Sequence, residues 1–177
     1  MATQTSPNNA RAIAEFNLFS PRNGGRGAAK KSTGAIGVVT WVGGQVKVDG
    51  TNVFALAEKP NLLDIAFDQL DRPQISWITS AFETFIYFFD GTLPGYRTLS
   101  VGTNAADPAV CNDYRLEGGV NTVLLYLKDG FPTYRIQADR FTMEYLLTAQ
   151  QVVGIKNFGY GVGSNSIQLV IGIPHDA

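Results

Sequence analysis

The sequence predicts an all-β fold: a β-sandwich, with the jelly roll among its forms, carrying one short helix and an extended N-terminal arm. Three observations point there. Short runs of β-branched and aromatic residues recur at close spacing along the chain. Pairs suited to tight turns separate them: Gly43-Gly44, Asp49-Gly50, Asp90-Gly91 and Asp129-Gly130. Gly has no Cβ to clash at positive φ, and Asp can bond its own backbone there. Finally, the runs Thr84–Phe89 and Val123–Leu127 are apolar on both faces, as strands covered on both sides are.

Residues 1–34 read as a loose arm rich in Gly and Asn. It holds Arg11, Arg22, Arg26, Lys30 and Lys31 against Glu15 alone, and a short apolar patch of Ile13, Phe16, Leu18 and Phe19. A single β-sandwich domain, 35–177, follows. Its first strands are expected at Ala35–Val42, Gln45–Val48 and Asn52–Leu56. Asn61 can cap a short helix over Leu62–Leu70, with Leu62, Ile65, Ala66 and Leu70 inward, and Pro73 bars its continuation. Strands are then expected over Gln74–Thr79, Phe82–Phe89 and Tyr96–Val101, followed by a long loop, Gly102–Gly119, that holds Cys111. The hairpin around Lys128-Asp129-Gly130 comes next. Its first arm is apolar on both faces; its second, Tyr134-Arg135-Ile136-Gln137, turns one face to water. Phe141–Leu147 fits a strand or a helix, with a strand favoured. A Gly-rich stretch, Asn157–Asn165, leads to a last strand, Ile167–Ile173. The total is about nine or ten short strands.

Of the 177 residues only 16% are charged, with 19 Gly and 11 Phe, against about a quarter charged in typical soluble domains. So little charge leaves little solvated surface and points to an outside partly covered by other subunits. The N-terminus lacks the apolar core of a secretory signal, so synthesis in a cytoplasm is expected. The densest apolar run, Thr84–Phe89, is far too short to cross a bilayer.

No reaction is written in the side chains. His175, the single histidine, stands third from the C-terminus, a poor site for chemistry that needs positional precision. Cys111, the single cysteine, has no thiolate partner for a disulfide or metal and reads as an inert or buried thiol. Asp64, Asp68 and Asp71 fall on one side of the expected helix and match no calcium loop, so a solvated helix face is the better reading. Asp107, Asp113 and Glu117 read as ordinary loop polarity. Gly159-Tyr160-Gly161-Val162-Gly163 precedes a strand, where no helix N-terminus faces a phosphate. The aromatics Trp41, Trp77, Phe82, Phe85, Tyr87, Phe88 and Phe89 can pave a sugar platform but sit in runs whose usual use is a core. The expected catalytic, cofactor and metal residues are therefore none.

In character the chain is similar to small β-rich virion structural proteins: capsid, head-decoration or tail components. The resemblance lies in the loose basic arm, Arg11 to Lys31, the charge-poor β-domain and the lack of a catalytic constellation. It implies a symmetric homo-oligomer in a virion, other virion proteins as partners, and an arm that invades neighbours. The arm residues would be Arg11, Phe16, Leu18, Phe19, Arg22, Arg26, Lys30 and Lys31. They offer an apolar anchor and cations for acidic surfaces or nucleic acid. Two alternatives come from the residues: a carbohydrate-binding β-sandwich using Tyr96, Tyr114 and Tyr160, and a glycoside hydrolase built on two facing carboxylates.

Overall fold

The computed structural model describes residues 25–91, 95–112, 122–149, 151, 154–161 and 164–170. Among these, three antiparallel four-stranded sheets stack into a sandwich-like all-β fold. The first sheet contains β1 (Arg26–Lys30), β2 (Ile36–Val42), β3 (Gln45–Val48) and β4 (Thr51–Ala55). The second contains β5 (Leu62–Phe67), β6 (Pro73–Ile78), β7 (Thr84–Phe89) and β8 (Tyr96–Gly102). The third contains β9 (Ala105–Asn112), β10 (Thr122–Lys128), β11 (Phe131–Ile136) and the two-residue β12 (Tyr145–Leu146). A hairpin of β13 (Gly154–Gly161) and β14 (Ser164–Val170) runs alongside β9 and β10. Each four-stranded sheet is a meander of consecutive strands. The interleaved order of a jelly roll is not found among the described residues.

The second sheet is the middle layer because its strands are apolar on both sides. Leu63, Ile65, Phe67, Ile75 and Trp77 meet Ala29, Val39 and Val46 of the first sheet. Ala66, Ile86 and Phe88 meet Ala105, Val110, Leu124 and Tyr126 of the third. The first sheet can come this close only where a side chain is missing. A Cβ on Gly27 of β1 would lie 2.9 Å from the Leu63 carbonyl oxygen and 3.1 Å from Asp64 Cα, both backbone atoms. Gly27→Ala is therefore expected to cost about 1–3 kcal/mol, because backbone cannot swing aside as a side chain can. Urea unfolding of the variant measures it.

The expected helix at Leu62–Leu70 is a strand. Leu63, Ile65 and Phe67 alternate toward the first sheet, while Asp64 and Ala66 face the third. The three carboxylates accordingly lie on no solvated helix face. Asp64 and Asp68 are buried, and the Val110 N–H donates to Asp64 Oδ2 at 3.1 Å. The expected long loop at Gly102–Gly119 instead begins with β9. At Asp107-Pro108 that strand carries a bulge opposite Tyr126, with Asp107 at φ 49°. A bulge is one of the few places where a sheet accepts Pro.

β10 lies between β9 and β11 and is buried on both faces, as its sequence requires. β7 likewise is no edge: β8 covers it within the same chain. The second hairpin arm does not turn Arg135 to water; its guanidinium is drawn into a hydrogen-bond cluster described below. The Phe141–Leu147 stretch is mostly turn. Phe141 is fully buried, 4.9 Å from the Phe88 ring at a steep angle, and only Tyr145–Leu146 pairs as a strand.

Cys111 is buried. Native protein is expected to react slowly with a thiol reagent and quickly in denaturant, so the labelling rate in urea reports opening of the third sheet.

Candidate assembly interface

One end of the middle and third sheets gathers several turns. The β6–β7 turn is closed by Thr79 N–H donating to the Glu83 carbonyl at 2.9 Å and by Phe82 N–H donating to the Thr79 carbonyl at 3.0 Å. It places Phe82 at φ 59°, with 70% of its surface exposed. Thr84, just beyond, pairs with Gly102 and donates its hydroxyl to the Ala105 carbonyl. That contact holds the β8–β9 turn beside the β6–β7 turn. β10 ends here too, with Lys128 opposite Ala105.

Between the β8–β9 turn and the end of β10 lies an open recess of about 240 Å³, formed by Val101 to Ala105, Tyr126, Lys128 and Glu144. Glu144 organises its floor. The carboxylate accepts from Lys128 Nζ, from the Tyr126 hydroxyl at 2.6 Å and from Arg135 Nη2 at 2.8 Å. Arg135 Nε donates to the Tyr126 hydroxyl at 3.0 Å, and Nη1 donates to the Phe141 carbonyl at 3.0 Å. Lys128 first, then Tyr126 and Arg135, hold the Glu144 carboxyl down at about 2. Burial, aided by the bond to Glu144, pushes the Tyr126 phenol up to about 12. A carboxylate this well ionised and fully engaged is a poor proton donor or nucleophile. What the cluster does is clamp the segment after Phe141 onto the third sheet.

The clamp has a pH signature. Because folding lowers the Glu144 pKa from 4.5, its contribution is fully present above about pH 4.5 and is lost as pH falls toward about 2. Glu144→Gln is expected to remove this part of the acid dependence. The gap in urea midpoint between wild type and variant should shrink from pH 6 to pH 2.5; a constant gap would contradict the clamp.

Beside the clamp the edge of the third sheet is apolar. Met143, Leu146 and Leu147 are 56%, 59% and 51% exposed. β12 is the outermost strand of its sheet, and Leu147 N–H donates to the Pro132 carbonyl at 2.8 Å, next to the β10–β11 turn. Sheet edges are normally guarded by charge, and exposed apolar patches mark contact surfaces.

Comparison with protein-family models, curated proteins and solved structures gave no match.

The face of β6, β7 and β8 turned toward the first sheet is aromatic, and its rings are used on one another. Trp77 stacks on Phe85 with centroids 5.3 Å apart, and Tyr87 on Tyr96 at 4.9 Å. Phe54 lies against both Trp77 and Tyr87, and the Arg72 guanidinium sits 4.0 Å above the Phe89 ring. Burial first, and then Tyr87 and Asp68, push Tyr96 up to about 12. A sugar platform needs ring faces open to the ligand, and here the faces are occupied.

Of the residues expected in an arm, Arg26 and Lys30 lie on β1, paired to β2, and Lys31 follows directly. Lys31 Nζ donates to Asp49 Oδ2 at 2.6 Å and sits 5.2 Å from the Phe67 ring centroid. The folded part therefore reaches back at least to Arg26. Arg11, Phe16, Leu18, Phe19 and Arg22 lie outside the described residues, as do His175, Asp113, Tyr114, Glu117, Val162 and Gly163. Tyr160 stands on β13. Among the described residues no three His, Cys, Asp or Glu side chains gather as a metal site. No helix there is long and apolar enough to cross a membrane. The exposed apolar edge at Met143, Leu146 and Leu147 was not singled out from sequence. Its signal was the segment Phe141–Leu147, whose pattern fits no single element.

Proposed function

We propose that this chain is a structural protein that assembles with copies of itself into a symmetric homo-oligomer, as a capsid, decoration or tail component of a virion. The observation that supports this reading is the turn end of the middle and third sheets. There Phe82, Met143, Leu146 and Leu147 stand exposed around a single region. Exposed apolar side chains scattered singly are ordinary, whereas four at one end of a charge-poor domain fit a surface completed by a partner. The segment Arg11 to Arg22, with Phe16, Leu18 and Phe19, supplies an anchor for a neighbouring subunit. Its arginines offer contacts to acidic protein surfaces or nucleic acid.

Light scattering coupled to size exclusion tests the reading. The full chain should elute as a large defined species, not at the 19.1 kDa of one copy. The triple variant Met143→Ser, Leu146→Ser, Leu147→Ser should dissociate while keeping its β-type circular dichroism. A cut before Gly25 tests the arm and spares β1, which a cut at residue 34 would remove. A wild type that stays monomeric at high concentration would overturn the assembly reading, and glycan-binding and glycosidase screens would follow.

A further inference from the structure

We infer that the assembly contains a two-fold contact in which Phe82 of one copy seats in the 240 Å³ recess of a second copy, and reciprocally. The inference deepens the assembly reading and rests on it. Its first support is the cost of Phe82 as it stands. A bulky residue at positive φ is strained by Cβ–carbonyl crowding, and the turn would run more easily with Gly or Asn at that position. Elsewhere in this chain a strained aromatic is repaid by burial: Phe141, at φ 57°, is fully enclosed against Phe88. Phe82, at φ 59°, is 70% exposed. A partner's surface supplies the compensation that its own chain does not.

The second support is geometry. Thr84 pairs with Gly102 and donates to the Ala105 carbonyl, so the knob and the recess lie side by side at one end of the fold. A knob and a hole that neighbour each other on one surface are interchanged by a two-fold axis passing between them, so one patch serves both subunits. The third support is chemistry. Lys128 and Glu144 pair with each other at the recess, and Arg135 pairs with Glu144 as well, so cations outnumber the carboxylate there. A ring entering it meets Val101, Tyr126 and the cation of Lys128, which a π face attracts. Met143, next to Glu144 in sequence, is a further exposed apolar side chain.

Two single variants and their mixture, followed by sedimentation equilibrium and urea unfolding, test the contact. Phe82→Gly removes the knob and relieves the turn. It should raise the dissociation constant of this contact about 100-fold or more while leaving the urea midpoint of the monomer unchanged or higher. Asn104→Trp fills the recess from an exposed turn position and should weaken association to a similar degree. Each keeps the half that the other lacks, so an equimolar mixture should associate more tightly than either variant alone. If the wild type assembles and both variants assemble equally well, this contact is wrong and the assembly reading survives. If Phe82→Gly lowers the monomer's own stability, Phe82 serves its own fold and the inference also fails. If the wild type never assembles, both readings fall together.

Discussion

Asp68→Ala is expected to remove about 3 kcal/mol of folding stability, at the lower end of the range for breaking a buried charge pair. Asp68 follows β5 and is buried, and its two oxygens serve different elements. Oδ1 accepts from Leu70 N–H at 3.0 Å and Arg72 N–H at 3.1 Å, which shapes the β5–β6 turn. Oδ2 accepts from Arg72 Nε at 2.7 Å and from Gln137 Nε2 at 3.3 Å. Gln137 lies just after β11, and its amide also donates to the Phe89 carbonyl at 3.0 Å, at the end of β7. One carboxylate thus joins the middle sheet to the third. Alanine would strip the turn of its acceptor and leave two buried amide donors, Gln74 and Gln137, short of a partner. The loss stays at the low end because the Arg72 side chain keeps 22% of its surface exposed and can turn to water. Asp68→Asn, which retains the Oδ1 acceptor, should cost about half as much. Urea unfolding with an unchanged slope checks both values, since a changed slope would mean that one sheet had come loose by itself. Equal costs for the two variants would show that the charge, not the turn, carries the contribution.

That carboxylate also shows where the sequence was legible. Hairpins marked by Asp-Gly or Gly-Gly were readable because each turn pair carries its own backbone preference, and Asp49 and Asp129 do adopt positive φ. β7 and β10 were readable as covered strands because both faces are apolar. β5 was not, since Leu62, Ile65, Ala66 and Leu70 satisfy a helical period while Leu63, Ile65 and Phe67 satisfy a strand's. The Asp residues tipped the choice toward a solvated helix, and only the third sheet's donors, above all Val110 N–H, explain carboxylates on a buried strand face. β9 was hidden because Asp107-Pro108 reads as a loop unless the bulge that accommodates it is known. For the candidate interface, Phe82 looked like the first residue of an aromatic strand. Its placement at an exposed turn depends on where Thr84 pairs, a tertiary fact that no local pattern carries.

Phe67→Ala should cost about 3–5 kcal/mol, the cost of emptying a large buried site, and Gly37 should decide how much of that is recovered. The Phe67 ring, on β5, lies against β2 where Gly37 leaves room. A Cβ at Gly37 would stand 2.3 Å from Phe67 Cζ and 2.4 Å from Cε2. Gly37→Ala alone should therefore destabilise by about 1–3 kcal/mol, because the ring must shift within a filled layer. In the Phe67→Ala background the ring is gone, and the neighbour left is Lys31 Cε at 3.0 Å, the far end of a flexible side chain that can move aside. The added methyl then enters the vacated space, and a strand residue that loses less conformational freedom than Gly replaces it. There the same substitution should be neutral or stabilising, so the double variant should be no less stable than Phe67→Ala alone. The cycle then yields a coupling of about 1–3 kcal/mol, well beyond the few tenths expected of independent sites. Simple additivity would mean that β2 does not rest on β5 at this point, and the stacking of the first sheet on the middle one would have to be redrawn. Strong coupling with a change of sign is what the direct contact of Gly37 with the Phe67 ring predicts, since independent sites add to within a few tenths of a kcal/mol.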